Sequence, residues 1–141
     1  MDDRPYDRPA ADSAVRFRAF QTLPSSMEAQ RDFLNIIGSL GGLTAHPAGK
    51  EMNRVALWNG KGECEVFGFE ECGERGFGGA VQLPGETGPR LALVGSRELL
   101  SESGMAIPDL LGAATREWAG DLILYAGWDG QARGVLRFSS I

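Results

Sequence analysis

Apolar and polar positions along the chain change period several times, and each change predicts an element. Residues 14–20, AVRFRAF, alternate: Val15, Phe17 and Phe20 stand against Arg16 and Arg18. This is the signature of a half-buried strand, with Phe20 out of strict phase. Leu23-Pro24-Ser25-Ser26 interrupts it, and Ser25 or Ser26 is suited to cap a helix, with Glu28 in its first turn. Over 27–40, Met27, Phe33, Leu34, Ile37 and Leu40 recur at helical spacing, and Gly41-Gly42 ends the run. A second helix opens at Thr44-Ala45-His46-Pro47, where proline suits the first turn because its missing N–H needs no partner there. Met52, Val55, Ala56 and Trp58 give that helix its apolar side, and Asn59-Gly60 stops it.

Strand signals then dominate. Residues 63–70, ECEVFGFE, read as a strand, and 73–79, GERGFGG, as a glycine-rich turn. Residues 80–83 and 90–94 flank Pro84-Gly85-Glu86-Thr87-Gly88 and predict a hairpin. Ser96 is placed to cap a short helix, and Ile107-Pro108 begins another that runs to about Glu117. Residues 121–126 and 132–138 read as the last two strands, joined by Trp128-Asp129-Gly130, since Asp-Gly is a strong hairpin signal. The predicted order is β-α-α-β-β-β-α-α-β-β. Hairpin connections make the sheet mostly antiparallel, so the fold class is α+β: roughly six strands flanked by helical pairs. Residues 1–12, MDDRPYDRPAAD, carry charges and prolines with nothing to bury, and are expected to be a disordered leader before one module over 13–141.

Composition narrows the function classes. The chain has 141 residues, enough to bury a core without a metal or disulfide staple. Fourteen basic residues against 19 acidic leave a net charge of −5, which argues against a general nucleic-acid binder. The two cysteines, Cys64 and Cys72, are spaced neither as a metal or redox pair nor as a disulfide framework. No apolar run is long enough for a membrane span, and the N-terminus lacks the apolar stretch of a signal peptide. A cytoplasmic location without membrane insertion is expected.

Candidate chemistry is sparse. His46 is the single histidine, so a histidine-built metal site is excluded, and no GxSxG elbow accompanies it. At a helix entrance it can serve as a cap; its planar ring can also stack on a nucleobase or hydrogen-bond to one without needing a charge. Gly76-Phe77-Gly78-Gly79 offers backbone N–H groups unobstructed by Cβ atoms, although neither a Lys-Ser/Thr pair nor a helix follows directly, as phosphate loops require. A bulged turn between strands accounts for the same residues. No nucleophile–base pair is visible for stand-alone hydrolase chemistry.

Taken in order, four segments resemble the nucleotide-binding (N) domain of heavy-metal, copper-type P-type ATPases. Leu43-Thr44-Ala45-His46-Pro47-Ala48 is similar to that family's S-x-HP-L-A region, and Phe69-Glu70-Glu71 through Gly76-Phe77-Gly78-Gly79-Ala80-Val81 to its F-E-x-x-x-G-x-G-V segment. Leu93-Val94-Gly95-Ser96-Arg97 through Gly104-Met105 is similar to V-L-V-G-N-R-x-L-M-x-x-x-G-I, and Leu122 to Phe138 to the A-x-D-G-x-x-x-G-V region. The likeness spans about residues 14–139.

The resemblance implies an antiparallel sheet flanked by helices. It implies adenine recognition by His46, with Pro47 fixing the turn that presents it, and with Gly76, Gly78 and Gly95 letting backbone run beside base and ribose. It implies ATP as ligand, its Mg carried by the triphosphate and not held by this domain. The partner is then the phosphorylation domain of a pump, in cis or in trans. The chain carries no DKTGT segment with its phosphorylated Asp, so it is no complete P-type ATPase, and it is expected to be either a domain of a pump or a free-standing relative. Three departures stand out. Ala45 replaces the usual acidic residue, Gly41 stands where a glutamate often precedes the histidine, and Ser96 replaces Asn. The GxG register is either Gly76/Gly78 or Glu74/Gly76. A missing contact to the adenine amino group implies weak affinity, about 1 mM or roughly −4 kcal/mol. A module that keeps the fold but acts in interaction or regulation is the alternative.

Overall fold

The computed structural model describes residues 15–118 and 120–140; the leader expected over 1–12 lies outside them. Six strands form one sheet: β1 (Val15–Thr22), β2 (Glu65–Glu71), β3 (Gly76–Gln82), β4 (Arg90–Gly95), β5 (Leu122–Trp128) and β6 (Gln131–Ser140). Their order is β1-β6-β5-β4-β3-β2, and every neighbouring pair is antiparallel. Helices α1 (Met27–Gly41) and α2 (Pro47–Trp58) follow β1, and the short α3 (Arg97–Glu102) and α4 (Asp109–Ala114) join β4 to β5. The element order and the α+β class are those expected from the pattern.

Alternation along the central strands splits the core between the two sheet faces. Phe77 and Val81, Ala92 and Val94, and Leu124, Ala126 and Trp128 pack with α1 and α2 through Phe33, Ile37, Leu40 and Met52. Leu93, Ile123, Tyr125 and Val135 pack with Leu100 of α3 and Leu111 of α4. The sheet is thus apolar on both faces, which requires a helical layer on each.

Local sequence explains most element ends. The Ser26 side chain accepts from the Ala29 N–H and the Ser96 side chain from the Leu99 N–H, each capping its helix. Asp129 and Gly130 have φ of 56° and 76°, the paired positive values that a two-residue hairpin turn needs between Trp128 and Gln131. The out-of-phase Phe20 has a cause: the register of β1 against β6 shifts between Phe17 and Ala19, a bulge that resets which face Phe20 occupies.

Several expectations are corrected. Residues 73–79 are not one turn: a 3-10 turn covers only Gly73–Arg75, and Gly76 to Gly79 lie inside β3, paired to β2 and β4. Glycines can serve as strand residues where neighbours crowd the backbone, and sequence alone gives them the same mark as a turn. Met27 and Trp58, assigned to buried helix faces, are exposed at 87% and 53%. Each sits at a helix end, where the apolar stripe has run past the sheet. The last helix breaks at Ala114, and Thr115–Trp118 continues as a 3-10 turn.

Candidate functional site

His46 sits between α1 and α2 as the N-cap of α2, with extended backbone (φ −64°, ψ 130°). Its Nδ1 accepts the Ala48 N–H at 3.1 Å, satisfying one of the donors that a helix start leaves open. Its Nε2 lies 3.1 Å from the Glu74 carbonyl oxygen. A carbonyl only accepts, so Nε2 carries the proton and Nδ1 does not: the ring is the neutral Nε2–H tautomer with both nitrogens engaged. The ring lies 6.1 Å from that of Phe77, tilted by 53°. Pro47 is the first residue of α2, and its fixed φ sets the direction in which the helix leaves His46.

Thr44 fixes the approach. It is buried, its hydroxyl accepts the His46 N–H at 3.0 Å, and it donates to Glu71 Oε1 at the end of β2. The segment before α2 is therefore tied to the β2–β3 connection twice, through Thr44–Glu71 and through His46–Glu74. Beside these ties lies an open cleft of about 520 Å³, lined by Ala45, His46, Pro47 and Ala48 and by Glu71, Gly73 and Glu74, with Val15 and Leu122 completing the lining. Among the described residues, its lining side chains include two carboxylates and no Lys or Arg. A flat ring fits such a volume.

The predicted glycines occupy the same end of the sheet without lining this cleft. Gly76 opens β3 opposite Gly95, which closes β4. A Cβ on Gly76 would stand 2.0 Å from the Val94 carbonyl oxygen, and one on Gly95 would stand 2.4 Å from that of Arg75. Both positions are closed to any side chain by backbone, and Gly76 has φ 155° besides. Gly78 lies on the other face, in a broader groove of about 580 Å³ with Leu91, Leu93 and Met105. His46 belongs to the α1/α2 layer, while these glycines turn toward the α3 side. The turn Gly73–Arg75 joins the two: Glu74 meets His46, and the Arg75 carbonyl accepts the Ser96 N–H at 2.9 Å.

Sequence reasoning singled out Glu74 only as an alternative register of the GxG motif, and assigned no site role to Thr44, Glu71 or Gly73. Gly73, at φ 64°, is the glycine in the cleft wall. The only available signal was the proximity of Glu71 and Gly73 to the GxG segment, which does not say that they face an imidazole from another element. The structure also gives a reason for Gly41. A Cβ there would lie 2.2 Å from the Gly49 carbonyl oxygen, because α1 and α2 approach closely at that point. A glutamate at 41 has no room in this helix pair.

No family model matches the chain, and no curated protein matches it. Solved structures do. The N-domain of HMA6, a copper-transporting P-type ATPase, superposes with a TM-score of 0.68 at 21% identity, covering 90% of this chain and 100% of that one. The N-domain of HMA8, also a copper-transporting P-type ATPase, gives 0.65 at 18% identity, covering 86% and 97%. A zinc-transporting PIB-type ATPase gives 0.66 at 13% identity, with 90% of this chain matching 19% of that one. The six-stranded antiparallel sheet with its helices is accordingly the fold of the N-domains of copper-transporting P-type ATPases.

Proposed function

We propose that this chain binds an adenine nucleotide, with the base in the cleft lined by His46, Pro47, Glu71, Gly73 and Glu74. The observation that carries this reading is the pair of ties, Thr44–Glu71 and His46–Glu74, which hold a lone imidazole against the wall of a cleft sized for a planar ring. Both imidazole nitrogens are occupied, so His46 contributes its ring surface and not a hydrogen bond. Base–aromatic stacking is worth about 1–3 kcal/mol.

The charge of the cleft sets the ligand's orientation. A phosphate about 4 Å from either Glu71 or Glu74 would cost about 4 kcal/mol at an effective dielectric near 20. The triphosphate therefore points out of the cleft, with Mg on the phosphates and not on this domain. Gly76 and Gly95 support the wall by letting β3 and β4 close tightly behind the turn. Projected outward, the phosphates would meet a phosphorylation domain in cis or in trans, where the chain's part in the reaction is positioning. The copper-pump likeness of the fold makes a heavy-metal P-type ATPase the first assignment for that partner, with a cytoplasmic location.

The test is an NMR titration of Mg-ATP into labelled chain. Shifts are expected at the His46 ring and at the amides of Gly73 to Gly76. At about 1 mM affinity, 10 mM ATP also stabilises the fold by about 1.4 kcal/mol, raising the melting temperature by about 3–6 °C. No shifts at 10 mM would reject the reading. The engaged imidazole and the acidic cleft favour a second reading, a module of the same fold that serves in interaction alone, and that result would select it.

A further inference from the structure

We infer that Glu71 is the residue that selects the base, favouring a purine with an amino group at C6 over one with a carbonyl there. The inference rests on the nucleotide reading above. Among the cleft's side chains, the His46 nitrogens are both engaged, and the Thr44 hydroxyl behind the wall is spent on Glu71 and the His46 N–H. Glu71 and Glu74 remain, and ionised carboxylates only accept hydrogen bonds.

Of the two, Glu71 is the one that is held. Its Oε1 is fixed by the buried Thr44, and its Oε2 has no hydrogen-bond partner among the described residues. An oriented acceptor with a spare oxygen, set in the wall of the cleft, matches the N–H of an exocyclic amine. The same oxygen repels a 6-oxo group, which presents an acceptor to an acceptor. Neither Gly41 nor Ala45 can supply this: position 41 has no space for a side chain, and alanine has no acceptor. The acceptor thus comes from the end of an edge strand and not from the helical hairpin that carries the histidine. Thr44 is its positioning residue.

Calorimetric titration of Mg-ATP, Mg-ITP and Mg-GTP into the unmodified chain tests this without any substitution. ATP is expected to bind about tenfold or more tightly than ITP, the loss of one charge-assisted hydrogen bond. In Glu71→Gln the amide can rotate to donate to a 6-oxo group, so the ATP preference should fall to within about twofold or invert. Equal binding of ATP and ITP to the unmodified chain, or an unchanged ratio in Glu71→Gln, overturns the inference and leaves nucleotide binding intact. Absence of binding by all three nucleotides overturns both.

Discussion

At the scale of single residues, His46 carries two separable loads. As a cap it satisfies the Ala48 N–H, and as a ring it lines the cleft. His46→Asn keeps a good capping side chain and removes the ring, so it should hold the melting temperature within about 1–2 °C while weakening ATP binding about tenfold. His46→Ala removes both and should cost about 1 kcal/mol of stability in addition. Urea unfolding and nucleotide titration on the two variants check the separation. Equal losses of binding and stability in both would mean that the ring acts only as a cap. The histidine's presence at a helix entrance was legible from Pro47 behind it. Its tautomer was not, because the Glu74 carbonyl that decides it lies 28 positions away.

At the scale of elements, the seam between α1 and α2 is built from small residues. Gly41 meets the backbone at Gly49, and a Cβ on Gly38 would stand 2.3 Å from the Ala56 Cβ. Such contact lets α2 start close enough to β2 for Thr44 to reach Glu71. Gly41→Glu, which restores the glutamate common in the resembled family, is therefore expected to destabilise the fold by about 2 kcal/mol or more and not to improve ATP affinity. Thermal unfolding with and without ATP decides it. The helices themselves were legible from apolar spacing and caps. The seam was not, since a glycine before a helix end reads equally well as a stop signal. Gly76 to Gly79 show the same ambiguity: crowding by β4 and β2 makes them strand residues, and crowding has no one-dimensional signature.

Across the whole molecule, the buried Glu51 joins the first strand to the second helix. Its carboxylate accepts the Phe17 N–H at 3.1 Å, at the bulge of β1, and takes two hydrogen bonds from Arg54. It is fully buried, so removing it strands a guanidinium and a backbone donor together. Glu51→Ala should cost about 3–5 kcal/mol, and the first protection lost in hydrogen exchange should be that of β1. Unchanged exchange in β1 would show that the strand is held by β6 alone. The consequence reaches the site, because Val15 of β1 lines the cleft.

Pattern, capping residues and the Asp-Gly turn were enough to determine the element order, the α+β class and the antiparallel pairing, because these depend on neighbours within a few residues. His46 and Pro47 were identifiable for the same reason. Tertiary structure alone decided which faces those elements share. Glu71 reaches Thr44, and Glu74 the histidine, only once β2 and α2 are packed at one end of the sheet, and Gly76, Gly78 and Gly95 turn away from it by the alternation of a strand whose extent the glycines had concealed. Periodicity is a property of the chain, whereas a cleft belongs to surfaces brought together across tens of residues.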